Sequence, residues 1–227
     1  MPTSFKQISH KKIDSLSDGV FSIALTLLGL DVLSLVKDIS HGGDFNARLF
    51  HHWPVFLSYF LGFFVLYSFW YQYHSLSQYV EGTNAWIVWS HGKTMAIVAL
   101  LPFGTALLAE NLNTPNQKWG IFYFGVLIFA DSWLSIIMAA ARRFRLPIYF
   151  SEDLPVDRGI ILRSLLIYNS IVSIYGIVVI GISLIFPWVA LFGYSLYILS
   201  KSNPTKAFNR MIPKIGKMSP TKDSASS

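Results

Sequence analysis

Residues 17–36 read Ser17-Asp18-Gly19-Val20-Phe21-Ser22-Ile23-Ala24-Leu25-Thr26-Leu27-Leu28-Gly29-Leu30-Asp31-Val32-Leu33-Ser34-Leu35-Val36. An acidic residue stands at the mouth of an apolar helix long enough to cross a bilayer, which takes roughly 20 residues. Ionisable side chains at membrane depth are costly and mark functional sites by default. The run also has a distinct face. With Ile23 as zero and about 100° per residue, Gly19, Leu27, Leu30 and Ser34 lie within about 40° of it, with Thr26 at the edge. Asp18 points about 140° away, and Ser17 about 120° away on the other side. One stripe is therefore apolar with small and hydroxyl interruptions, while the acid points elsewhere.

Composition agrees that lipid is the solvent. Of 227 residues, 53% are hydrophobic and only 13% charged, where a soluble domain carries about 25% charge. The net charge of +6 is clustered at the two ends and in one loop, which points to an anionic membrane surface and lipid headgroups rather than nucleic acid. There is no cysteine, which excludes disulfides, thiolate chemistry and cysteine metal sites. The opening MPTSFKQISHKKIDS is polar for too long to be a secretory signal, so the first helix is expected to stay in the mature chain.

The spacing predicts an all-α integral membrane protein with six transmembrane helices, at roughly 18–36, 54–74, 85–108, 119–141, 161–184 and 187–201. Residues 1–17 form a short segment before the six-helix unit 18–201, and 202–227 a basic tail expected to be disordered. Pro187 divides the last two spans, because proline breaks a helix interior. Basic residues crowd the N-terminus (Lys6, Lys11, Lys12), the loop after span four (Arg142, Arg143, Arg145, Arg158, with Arg163 just beyond) and the tail from Lys201 onward. Only Lys37, Arg48 and Lys118 fall on the other side, so both termini are expected in the cytoplasm. Trp53, Trp70, Tyr71, Tyr73, Trp86, Trp119 and Trp188 stand near span ends, as interfacial anchors do.

Several side chains carry candidate chemistry. Asp18 either fixes span one within the bundle or is simply a helix-start acid favoured by the dipole. The Ile23, Leu27 and Leu30 stripe fits ordinary packing, lipid contact, or a hydrophobic constriction of the kind that gates channels by dewetting. His74, after Trp70-Tyr71-Gln72-Tyr73, sits at the same depth as Asp18 and is expected either to pair with it or with a span-one hydroxyl, or to be hydrated. Lys93 is expected to snorkel to the interface. Asp131 is an intramembrane acid whose partner the sequence does not name. Glu110, Asn111 and Asn113 close span three, as a solvated loop or as an attractor of cations. No Thr-Val-Gly-Tyr-Gly filter, phosphate loop, zinc motif or nucleophile elbow is present, so neither an enzyme nor the usual carbonyl-ring filter is indicated. His51-His52 is too weak a signal for a metal site, and no cofactor is indicated.

The string Lys12-x-x-x-Leu16-Ser17-Asp18-Gly19 resembles the Arg-x-x-x-Phe-Ser-Asp signature that opens span one in the transmembrane protein 175 family. The likeness continues in Val20-Phe21-Ser22-Ile23-Ala24, in Trp70 to His74, and in Ala99-Leu100-Leu101-Pro102-Phe103-Gly104-Thr105-Ala106-Leu107-Leu108. Lys12 stands where the family has arginine, keeping the charge but losing the planar fork. Leu16 replaces phenylalanine and loses its ring. The resemblance implies an unconventional potassium-channel fold, selective for K⁺ without a conventional filter. One six-helix unit per chain implies a homotetramer of the prokaryotic kind, in the cell membrane. It also implies that span one lines a central pore, with Ile23, Leu27 and Leu30 as the constriction and Thr26 and Ser34 as polar pore positions. Lys12, Leu16, Ser17, Asp18 and His74 are then the network that holds the helix. The alternative expectation is a proton-conducting channel or proton-coupled carrier relaying through Asp18, His74 and Asp131. A non-conducting scaffold is the third.

Overall fold

Long apolar runs in lipid fold as helices because a helix satisfies its own backbone N–H and C=O groups. The structure, a computed structural model, describes residues 10–40, 44–77, 85–141 and 158–201. Within them lie α1 (His10–Ser40), α2 (Phe45–His51), α3 (Trp53–Ser77), α4 (Ala85–Asn111), α5 (Gln117–Ala141), α6 (Arg158–Ser183) and α7 (Pro187–Lys201). The helices α1, α3, α4, α5 and α6 are long and apolar enough to cross a membrane. The 15-residue α7 is about 22 Å long, short of the roughly 30 Å hydrocarbon core. Lys6, Arg142, Arg143, Arg145 and the basic residues beyond Lys201, on which the expected orientation rests, lie outside the described residues, as does the 202–227 tail.

Helix α1 begins at His10 rather than near Asp18 and ends at Ser40, so much of the segment expected to precede the helix belongs to it. The short α2 was not anticipated. Its start is capped by Asp44, whose carboxylate accepts from Asn46 N at 3.0 Å, and Arg48 ties it to α1 by donating to Asp38 O at 2.7 Å. The break expected at Pro187 is present. There α6 ends at Ser183, and Pro187 opens α7, the first helical position, where its missing N–H costs nothing. Pro102 lies inside α4, a placement that transmembrane helices tolerate when neighbours satisfy the freed carbonyl.

The turn after α4 shows what Asn111 and Asn113 do. Asn111 donates from Nδ2 to Leu107 O at 2.8 Å, and Asn113 takes φ 62, a left-handed conformation that asparagine adopts more readily than most residues. These side chains end a helix and reverse the chain.

Helix α4 packs against α1, α3 and α5, and α5 continues the layer to α6 and α7. The core is apolar and aromatic: Val65 and Leu66 of α3, Val98 and Leu101 of α4, Phe124, Ile128 and Phe129 of α5, and Tyr194 of α7 are all buried. Tyr194 donates to Ile121 O at 3.3 Å, which satisfies its hydroxyl in the interior. Helix α6 reaches α5 closely at Gly176, where an added Cβ would stand 2.5 Å from Cγ of the buried Phe129 ring. Gly176→Ala is therefore expected to cost about 1–3 kcal/mol through overpacking. Gly181→Ala, with open space at its Cβ, should keep or slightly raise the melting temperature, since alanine favours the helix over glycine. Thermal unfolding of both variants in detergent checks the contrast.

Candidate pore helix and its anchoring network

Helix α1 has two faces, and the rest of the chain covers only one. Ile13, Ser17, Phe21, Ala24 and Leu28 are buried, following the spacing of one side of a helix. On the other side Ile23 is 64% exposed, Leu27 43% and Leu30 52%. Gly19, Thr26 and Ser34 are exposed as well. The stripe expected from the periodicity is thus the face that the bundle leaves uncovered.

The two hydroxyls on that face spend their protons on the helix. Thr26 Oγ1 donates to Ser22 O at 2.7 Å and Ser34 Oγ to Asp31 O at 2.7 Å. A hydroxyl whose hydrogen is engaged in this way presents oxygen lone pairs outward, the polarity that a cation needs.

The buried side is held at its lower end by α3. Trp70 donates from Nε1 to Asp18 Oδ1 at 3.2 Å, and the Trp70 indole stacks on the His74 ring at 5.3 Å. Tyr73 donates from its hydroxyl to Asp14 Oδ1 at 3.0 Å and packs near the Phe21 ring at 6.3 Å. His91 of α4 meets Tyr73 edge-on at 4.8 Å. Ser17 is buried and donates to Ile13 O at 2.9 Å. Of the five residues expected to hold the helix, Ser17, Asp18 and His74 thus gather at this joint. Lys12 and Leu16 are exposed; they lie about 20° to either side of Ile23 on the helical wheel, and so continue the uncovered stripe.

A second polar contact joins α4 to α5. Lys93 Nζ meets Asp131 Oδ1 at 2.5 Å, with side chains only 12% and 27% exposed, and Thr94 Oγ1 donates to the same oxygen at 2.7 Å. The snorkelling expected of Lys93 is thereby corrected: a carboxylate within reach on the next helix offers its ammonium a partner that the interface does not. Asp14 and Asp31 are two acids that sequence reasoning passed over. Asp14 was lost in a polar stretch, although it lies one turn before Asp18. Asp31 stands inside the quoted apolar run and within electrostatic range of Glu110 on α4. Among the described residues no cluster of three His, Asp or Glu is placed to hold a metal ion.

Residues 12–102 match the family profile described as endosomal/lysosomal potassium channel TMEM175. A potassium channel of Chamaesiphon minutus is 30% identical over 134 residues, 56% of this chain and 66% of that protein. A potassium channel of Streptomyces collinus is 35% identical over 102 residues, 45% of this chain and 48% of its own length. Over residues 12–102 the chain resembles the TMEM175 family. The matched segments span less than two thirds of either relative. The crystal structure of a lysosomal potassium-selective channel TMEM175 homologue from Chamaesiphon minutus superposes with a TM-score of 0.68 at 21% identity, over 85% of this chain and 96% of that one. The TMEM175 fold is therefore shared along most of the chain, well past the region matched by sequence.

Proposed function

We propose that this chain is one subunit of a potassium channel that conducts K⁺ passively along an axis lined by α1 of each copy. The reading rests on one observation: Ile23, Leu27 and Leu30 lie on a face of α1 that its own subunit leaves open, while the opposite face is buried and anchored. The likeness of residues 12–102 to a family described as potassium channels, rather than enzymes, agrees with it. Four chains meet with these stripes inward, as a single six-helix unit per chain implies. In this assembly α7 is the sixth crossing, both termini are cytoplasmic, and the tetramer sits in the cell membrane.

Selectivity comes from the partial dehydration that a short apolar ring imposes on a passing ion. The outward oxygen of Thr26, one turn from Ile23 on the same side, eases that cost. Opening consists of α1 rotating or tilting until the ring widens and wets. The relay through Asp18, His74 and Asp131 is the weaker reading, because the Asp131 carboxylate is already taken up by Lys93 and Thr94 and that of Asp18 by Trp70.

Purified protein in liposomes is expected to pass K⁺ in preference to Na⁺, with ohmic unitary steps in bilayers. Caesium measured side by side adds a second test of the size and hydration of the accepted ion. Flux that saturates and varies with the proton gradient would replace the pore with a carrier, and absence of any flux would leave a scaffold.

A further inference from the structure

Lys201 is buried, with 8% of its surface exposed, a rare position for a lysine. Its ammonium donates to Gln72 Oε1 on α3 at 2.6 Å. It also lies over two aromatic rings, 4.6 Å from the Tyr168 centroid on α6 and 5.1 Å from Tyr197 on α7. A desolvated ammonium is stable only with such partners, and π faces are among the few apolar surfaces that attract one. The amide it meets is itself fixed: Gln72 Nε2 donates to Ser68 O at 2.9 Å, which turns Oε1 toward the lysine. One side chain therefore joins α7 to α3 and lies against α6.

The place on α3 matters. Gln72 is two residues from Trp70, about 200° round the helix, so it lies nearly opposite the indole that donates to Asp18 of α1. Tyr73, the next residue, donates to Asp14 of α1. The same turn of α3 is gripped on one side by Lys201 and on the other carries both anchors of the helix that presents Ile23.

We infer that Lys201 is a positioning residue: it clamps this turn of α3 and thereby sets the resting orientation of α1, so that the end of α7 governs how readily the channel opens. This rests on the reading of α1 as the pore helix. Lys201 touches no permeating ion, so it acts on opening and leaves the conduction path itself unaltered.

The full-length protein with Lys201→Met, Lys201→Arg, Gln72→Leu and Gln72→Glu tests the clamp by two readouts. The first is amide hydrogen exchange in residues 12–21 and 68–74, and the second is single-channel recording in bilayers. K201M and Q72L are each expected to speed exchange in both segments, and to change open probability, by about fivefold or more, the scale of a modest coupling between sites. The double variant should do no more than either one alone. K201R keeps the cation and restores both readouts, and Q72E, with a charge-assisted bond, slows exchange. Unitary conductance and the K⁺ to Na⁺ ratio stay as in the unsubstituted protein. Exchange and open probability unchanged in K201M and Q72L, additive effects of the pair, or no rescue by arginine would each overturn the clamp. If K201M does not fold, the Gln72 variants decide alone. If the unsubstituted protein passes no K⁺, the pore reading fails and the exchange measurements still judge the clamp.

Discussion

Ile23→Asn is expected to raise K⁺ conductance severalfold and to lower the preference for K⁺ over Na⁺. Ile23 is the most exposed of the three side chains proposed to form the constriction and lies at the centre of the stripe. In the proposed fourfold assembly its copies would close a ring that offers a passing ion no partner. Asparagine is similar in length but carries a carbonyl oxygen and an amide, so it keeps water in the ring. The gain is on the order of the tenfold that a barrier lowered by about 1.4 kcal/mol gives. The same change relaxes selectivity, because an ion that keeps its water is no longer sorted by the cost of losing it. Leu27→Asn should act in the same direction. Leu28→Asn, on the buried face, should reduce folded protein without raising conductance, since it strands an amide among apolar neighbours. Unitary current and reversal potential under a K⁺/Na⁺ gradient read both quantities. Currents and selectivity untouched by Ile23→Asn would take that residue out of the pore and leave its exposed side chain facing lipid.

The helix stripe could be read from sequence because it depends on one number, the 3.6-residue repeat, and on side chains within a single helix. Hydropathy shows where an apolar run stops but not where its helix stops. Lys11, Lys12, Asp14 and Ser15 are polar, and they continue α1 below Asp18 all the same. The Pro187 break was visible because proline acts locally through its missing N–H. Contacts between helices were hidden for the opposite reason. Asp14 with Tyr73 and Lys93 with Asp131 join residues far apart in the chain, and each depends on helix rotation and depth that no periodicity specifies. Trp70 looked like an interfacial anchor because its indole is amphipathic, and nothing in the chain marked Asp18 as its acceptor. The replacement of phenylalanine by Leu16 was read as a lost ring in the anchoring network. Leu16 instead lies on the open face with Ile23, so the substitution alters the lower end of the stripe.

Asp131→Ala is expected to destabilise the protein by about 2 kcal/mol, between the values for exposed and for fully buried ion pairs, because it leaves the partly buried Lys93 ammonium without its carboxylate. Lys93→Met should cost a similar amount by stranding the acid, which would keep only the Thr94 hydroxyl. The paired change Lys93→Met with Asp131→Leu removes both charges and fills a similar volume, so it should recover most of the loss and approach the unsubstituted protein. That pattern, two large single effects and a small double one, measures the coupling between the partners. It also separates the two mechanisms proposed for the molecule. A structural clamp between α4 and α5 predicts that the doubly substituted protein still passes K⁺ with unchanged selectivity. A proton relay through Asp131 predicts that the same protein, however stable, loses its transport altogether. Thermal unfolding and K⁺ flux measured on the four proteins together decide between them.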